Sequence, residues 1–307
     1  MWKYVARRLA EVVPTTFGVL LLTFVLFNVV GGSPAQTILG KNATAESIAA
    51  FNRKYGYDRP LAVQFTSFVT DLAKGDLGYS IEHNEPVAEV LKRGVGPSLS
   101  LTVPILVGGT LVALMLALVA SACRGGAVDR AVLIGSTVLM SVNYVVWVLA
   151  GQFLLAYKAG VFPVWGYGGW YCLALPVLIG ILSSLGMDVR FFRAAVLDEI
   201  YRPYVLTARA KGLSRAAILT RHVLRNALIP IVTYVSLSIP YLFTGSLLLE
   251  SFFGIPGLGS VSLNAIHSSD MAVVRAVVAL GALLYQFVNL ATDLVYAALD
   301  PRVRLGT

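Results

Sequence analysis

The side chains able to do chemistry in this 307-residue chain are few and far apart. Three histidines (His83, His222, His267) and two cysteines (Cys123, Cys172) never come within metal-ligand spacing of one another. Neither a Cys/His metal site nor a disulfide framework is therefore expected. Nucleotide chemistry would need a Gly-x-x-x-x-Gly-Lys-Ser/Thr loop, whose amides and lysine cradle phosphates. The nearest fragment, Gly40-Lys41-Asn42, lacks both the first glycine and the hydroxyl, so ATP hydrolysis by this chain is not expected. An enzyme would require a clustered nucleophile, acid/base pair or metal ligands, and nothing of that kind converges along the sequence.

The chain is 57% hydrophobic and 13% charged, about half the charge of an ordinary soluble domain. Its mean hydropathy of +0.76 excludes a disordered chain. Lipid must solvate most of its surface, which makes it an all-α integral membrane protein. Six stretches meet the requirement of about 20 apolar residues: 12–30, 99–120, 131–157, 171–187, 227–249 and 276–292. Pro14, Pro104, Pro176, Pro230 and Pro240 fall within or near them, a pattern of helices that pack together around a polar path. Ser33-Pro34-Ala35 faintly resembles a signal-peptidase site, but the preceding apolar run is too long for a signal peptide and is read as a span.

Six spans put both termini on one side. That side carries 15 of the 24 Lys and Arg residues, eight of them in the loop 188–226. The short loops opposite hold only Lys158 and Arg275. Positive charge collects on the cytoplasmic face, so both termini are cytoplasmic. The long segment 31–98 then lies outside. Within it, Thr44 opens a helical stretch that stops at Gly56, and Leu61, Phe65, Phe68 and Leu72 mark an amphipathic helix beginning near Pro60. The run Gly75-Asp76-Leu77-Gly78 reads as a turn. This segment suits either a docking surface for an external partner or a small cap on the helix ends.

In the loop 188–226, Pro203 opens a short helix and Gly212 ends it, while Ser214 caps a second helix running past Arg221, His222 and Arg225 towards Pro230. Charge alone would suit a lipid-bound interfacial helix. Nucleic-acid binding is disfavoured, because both ends are tied into spans and the first helix is too short. A third reading is a small-residue helix that a soluble partner grips and moves.

The residues Tyr204-Val205-Leu206-Thr207-Ala208-Arg209-Ala210-Lys211-Gly212-Leu213, followed by His222-Val223-Leu224-Arg225-Asn226-Ala227-Leu228-Ile229-Pro230, closely resemble the cytoplasmic signature of ABC importer permeases of the dipeptide/oligopeptide/nickel family. Further pieces agree in order along the chain: Arg7-Arg8-Leu9 with Pro14, Tyr55-Gly56-Tyr57-Asp58-Arg59-Pro60-Leu61, Gly75-Asp76-Leu77-Gly78, Glu250 with Pro256-Gly257-Leu258-Gly259, Asn289 with Asp293, and Asp300-Pro301-Arg302. The general importer pattern, Glu-Ala-Ala, three residues, then Gly, is kept only at Ala208 and Gly212. No acidic residue is therefore assigned to docking. Gly32-Ser33-Pro34 also lacks the Asp often found there in relatives.

The resemblance implies a type I ABC importer permease fold of six transmembrane helices in the cell's inner membrane. It divides the chain into 1–94, a permease domain 95–299 and a tail 300–307. It implies a heterodimer with a second homologous permease, two ABC ATPase subunits and an extracytoplasmic substrate-binding protein. ATP and Mg would belong to the ATPases, and this chain would hold no cofactor. The ATPase-docking helix would use Tyr204, Val205, Thr207, Ala208, Arg209, Lys211, Gly212 and Leu213. Di- and oligopeptides are the first substrate class implied, with nickel and oligosaccharides behind them. Ser236, Tyr241, Thr244 and Glu250 are candidates for lining the path, Glu250 also being open to a purely local role at the interface. Glu11 and Asp293 read as partners for Arg7 or Arg8. An ion-coupled secondary transporter, the rival class, should show midplane acidic or His relays or inverted half-repeats, and neither is present.

Overall fold

The computed structural model describes residues 2–30, 35, 39–40, 43–244 and 246–299, without the side chains of 2–9, 29–30, 241, 243–244 and 293–299. Helix α1 (Trp2–Phe24) ends in a π-helical turn, Val25–Val30. Helices α2 (Ala45–Tyr55) and α3 (Leu61–Ala73) follow, then a two-residue hairpin, β1 (Tyr79–Ser80) against β2 (Glu85–Pro86). Next come α4 (Val87–Ala122), α5 (Ala127–Ser141), α6 (Tyr144–Gly151) and α7 (Trp170–Ile200). The remainder is α8 (Pro203–Ala210), α9 (Arg215–Ala217), α10 (Leu224–Ser236), α11 (Ile239–Thr244), α12 (Leu247–Phe253), α13 (Leu258–His267) and α14 (Met271–Leu299).

Among the described residues four helices are long and apolar enough to cross a membrane: the stretches Ala10–Asn28, Val87–Ala122, Trp170–Ile200 and Met271–Thr292. A fifth arises if Ala127–Ser141 and Tyr144–Lys158, bent by 90°, count as one span. Two of the six expected spans thus differ from continuous helices. The stretch 131–157 breaks at Val142-Asn143, where the Asn143 side chain accepts the amide proton of Val145 at 2.9 Å and restarts the helix as an N-cap. The stretch 227–249 is divided among α10, α11 and α12. Pro240 accounts for the first division, since its ring clashes with the carbonyl four residues earlier, and α10 ends at that residue, Ser236. Helix α7 also runs to Ile200, well beyond the expected end at 187. The basic loop is therefore shorter than expected and hangs from a rigid rod.

The chain divides into two compact units. The first comprises Met1–Ser98, Phe243–Ser251 and Pro256–Thr307. In it α1 lies along α14, and Val87, Leu91, Leu258, Ala265, Val273, Val274 and Ala276 form a core. Thr44 caps α2 through the Ser47 amide, and Gly56 closes it at φ +74°. Phe65 and Phe68 of α3 pack on Phe17 and Phe24 of α1. Leu61, expected on the same face, is exposed instead.

The second unit comprises Leu99–Leu242 and Phe252–Ile255. Its core joins Ala113 and Ala117 of α4, Leu185, Val189, Phe192 and Val196 of α7, and Ala227 and Ile231 of α10. Val103, Val107, Leu111, Met115 and Val119 recur every fourth residue on α4 and are all exposed. One face of an α-helix follows that spacing, and a stripe of this kind is solvated by lipid or by another membrane helix, not by water. Small residues let the helices approach closely. A Cβ added at Gly186 of α7 would lie 2.5 Å from the Ser136 carbonyl of α5. Gly186→Ala is expected to lower the Tm of the detergent-solubilised protein by several degrees, because overpacking costs about 1–3 kcal/mol. Gly135→Ala, whose added methyl meets nothing within 4 Å, should leave the melt unchanged; circular dichroism reads both.

Candidate functional site

The basic loop is built from cap to cap. Pro203 stands in the first turn of α8, its fixed φ suited to a helix start. The helix stops at Gly212, whose φ of +78° lies in the left-handed region that favours glycine. Ser214 then accepts the Ala217 amide proton at 3.3 Å and opens α9, from which a π-helical turn, Ile218–Val223, leads directly into α10. This arrangement suspends an eight-residue helix between the ends of α7 and α10.

Burial divides the candidate docking residues into two sets. Val205 and Ala208 are buried in the same core as α4, α7 and α10. The accessible ridge consists of Leu206, Thr207, Arg209 and Ala210, continuing through Lys211, Gly212 and Leu213. Leu206, absent from the residues expected to dock, is 65% exposed and is the more exposed of the two leucines on that ridge. Tyr204 is half-buried and packs against the core, its hydroxyl donating to Glu199 Oε2 at 2.6 Å. Burial pushes the Tyr204 phenol above its ordinary value, and the Glu199 carboxylate raises it further. It remains a donor at neutral pH.

Polar pins brace the rods on either side of α8. Arg193 of α7 grips Asp129 of α5 through two bonds of 2.7 and 2.8 Å, and Asp129 also accepts the Gly125 amide proton. Bidentate Arg-carboxylate pairs are geometrically specific, so this pair fixes the angle between α5 and α7. Tyr234 of α10 donates to Asp188 of α7 at 2.9 Å, with its ring stacked on Phe191. No sequence motif announced these partners, which lie 64 and 46 residues apart.

Glu250, expected as a candidate on the transport path, is fully buried and engaged locally. Its Oε1 accepts from Ser98 Oγ at 2.7 Å and from the Ser246 amide at 3.0 Å. Its Oε2 accepts from the amides of Gly259 (2.7 Å) and Ser260 (3.1 Å), in the first turn of α13. Ser98 completes the cage by accepting the Leu258 amide proton at 2.7 Å. The carboxylate thus sits on a helix N-terminus, where exposed amides favour negative charge. Both glycines of Pro256-Gly257-Leu258-Gly259 are explained: a Cβ at Gly257 would overlap the Glu250 carboxylate, and one at Gly259 would lie 2.7 Å from the Leu247 nitrogen. Glu250 is therefore the clasp of the first unit, and its oxygens are not open to a substrate. Arg275, a possible local partner, binds elsewhere.

Of the other path candidates, Ser236 is the one whose side chain is described. Ser236 is half-buried at the break after α10, and the side chains of Tyr241 and Thr244 lie outside the described residues. So do those of Arg7, Arg8 and Asp293, on which the expected pairing with Glu11 depends. Among the described residues no group of three or more His, Cys, Asp or Glu side chains gathers as a metal site.

Two family models match this chain along most of its length. The model of the binding-protein-dependent transport system inner membrane component covers residues 109–305, and that of its N-terminal part covers 1–102. The chain belongs to this family: it is an ABC importer permease of the dipeptide/oligopeptide group, a multi-pass protein of the inner membrane. It is 32% identical to the glutathione transport system permease protein GsiC of Shigella flexneri over 308 residues, with 99% of each chain covered. The proteins of that name from Salmonella typhi and Escherichia coli are also 32% identical, over 307 and 308 residues, at 99% coverage of each chain.

The clasp can be tested directly. Glu250→Gln replaces an acceptor-only group by one that presents two N–H donors to existing donors, and should cost about 2–4 kcal/mol of stability. Gly257→Ala should reproduce the loss, both read as a lower Tm in detergent. A Glu250→Gln protein with unchanged Tm but no transport would instead assign the carboxylate to substrate.

Proposed function

We propose that this chain is one of two permease subunits in an ATP-driven importer of di- and oligopeptides, forming half of the translocation path. The observation that carries the substrate class is the end-to-end similarity to permeases of a glutathione transport system, glutathione being a peptide. In this reading the bent pair α5–α6 makes one span and α10–α12 a broken one. That gives six crossings with both termini in the cytoplasm and α8 on the cytoplasmic face, in keeping with the 15 basic residues on that side. A second, homologous permease completes the path, two ATPase subunits bind ATP and Mg beneath it, and an extracytoplasmic binding protein delivers the peptide.

Helix α8 is the coupling element. Its outward ridge, Leu206, Thr207, Arg209 and Ala210 with Lys211, Gly212 and Leu213 at the turn, rests in a groove on one ATPase. Leu206 supplies the apolar anchor, and Arg209 and Lys211 supply charge. Its inward residues, Val205 and Ala208, are held in the core shared by α4, α7 and α10. A displacement imposed by nucleotide-driven closure therefore moves the spans themselves, because packed interiors transmit strain instead of absorbing it. Ser236, Tyr241 and Thr244 remain the candidates for lining the path, the break after Ser236 leaving main-chain carbonyls for polar contact.

Tagging the chain in its native host, solubilising in mild detergent and assaying what co-purifies tests this reading. A second permease and ATPase subunits should be recovered, with ATPase activity raised by binding protein plus peptide. A chain that elutes alone, with no ATPase following it, would overturn the proposal and leave the basic loop as a lipid-facing element.

A further inference from the structure

The first unit contains a cavity of about 530 Å³ between α2, α3, the turn at 76–79 and the start of α14. Cavities of roughly 300–1,000 Å³ are the size range of small-ligand sites. The residues facing this one bear both signs of charge: Lys54, Arg59 and Arg275 against Asp71 and Asp76.

Its floor is a prebuilt polar network. Arg275 donates from Nε to the Met271 carbonyl at 3.0 Å, from Nη1 to Asn28 Oδ1 at 2.9 Å and, at the limit of 3.5 Å, from Nη2 to the Tyr57 hydroxyl. Asn28 in turn donates to Gln64 Oε1 at 2.8 Å, and Gln64 donates to the carbonyls of Arg59 and Tyr57. Both amides are used at both ends, so they hold the guanidinium in one orientation and contribute no charge to it. Among the described residues no carboxylate lies within ion-pairing distance of Arg275. The nearby Asp270 is 2% exposed and turns its Oδ2 to Ser80 Oγ and the Glu82 amide instead.

A partly buried cation fixed by neutral acceptors is costly unless an anion joins it. Among the described residues Arg275 retains N–H groups without an acceptor, and its planar fork fits a carboxylate. Burial pushes the Tyr57 phenol above its ordinary value, with Arg275 opposing the shift. The phenol therefore keeps its proton, and among the described residues its hydroxyl is recorded only as an acceptor, from Arg275. Opposite charge is supplied by Asp71 and Asp76 on the wall, Asp76 already ordered by accepting the Gly78 amide proton at 2.9 Å.

We infer that this cavity is a binding site for a small zwitterionic peptide, its terminal carboxylate on Arg275 with Tyr57 and its ammonium towards Asp71 and Asp76. The inference rests on the importer reading above: with that topology the cavity opens on the extracytoplasmic side, where it would hold peptide apart from the binding protein. Presence of both signs favours a zwitterion over a simple anion such as a phosphate or a lipid headgroup.

The test uses the whole importer complex in nanodiscs without its binding protein, and tritiated alanyl-alanine as probe. Saturable binding is expected, weakened at least tenfold by Arg275→Gln and less by Arg275→Lys. Asp71→Asn, an exposed change that leaves the fold intact, should weaken alanyl-alanine while leaving N-acetyl-alanyl-alanine unaffected. Absence of saturable binding in a complex that still transports dipeptide with its binding protein would overturn the inference and leave the importer reading standing. Equal binding of the acetylated and free dipeptides, or full displacement by inorganic phosphate or phosphatidylglycerol, would overturn it in favour of an anion site. A complex that transports no peptide yet binds alanyl-alanine as described would retain the site and remove the importer reading.

Discussion

One buried carboxylate organises the first unit. Glu250 gathers α4 through Ser98, its own helix through the Ser246 amide, and the first turn of α13 through two further amides. Lipid supplies no water to satisfy polar groups left over at such a junction. The chain must therefore close the junction on itself, and it does so with a single anion at a helix N-terminus. Two glycines follow from that choice, because the backbone has to pass against the carboxylate without a side chain between them. The same requirement explains why a charged residue at this depth of the chain needs no cationic partner.

The second unit is built differently, and the proposed coupling rests on that build. Its parts are long rods pinned at their crossings by Asp129 with Arg193 and by Asp188 with Tyr234, with a short helix held between two of the rods. One side of that short helix, Val205 and Ala208 with Tyr204 against them, belongs to the unit's core, and the other side is exposed. A helix free on all sides would slide under load, and one buried on all sides would offer nothing to grip. The split between Val205/Ala208 and Leu206/Arg209 is what the proposed coupling would require, and the Tyr204-Glu199 bond ties the helix to the end of α7.

What was readable in the sequence is what depends on neighbours in the chain. Thr44, Gly56, Pro60, Pro203, Gly212 and Ser214 act over three or four residues, and each stands at the helix boundary that its chemistry predicts. Hydropathy, which averages over about 20 residues, merged helices that Asn143 and Pro240 divide, and it missed the amphipathic end of α7 because that end is not apolar throughout. The clasp was hidden for another reason: Ser98 and Glu250 are 152 residues apart, and only the fold brings them together. The exposure of Leu206 was not readable either, since an eight-residue helix carries too few apolar positions to reveal which face turns inward.

The most direct test of the central claim, that the outer ridge of α8 bears on an ATPase subunit, is position-specific cross-linking in the assembled complex. With Cys123 and Cys172 changed to Ser, Leu206→Cys should form a cross-link to an ATPase subunit through a short bifunctional maleimide when a cysteine is placed in that subunit's groove, and the link should arrest transport. Val205→Cys, facing the core, should give none. A Leu206→Cys complex that transports normally, forms no cross-link and is modified by a water-soluble maleimide as quickly in the complex as in the isolated chain would contradict the account.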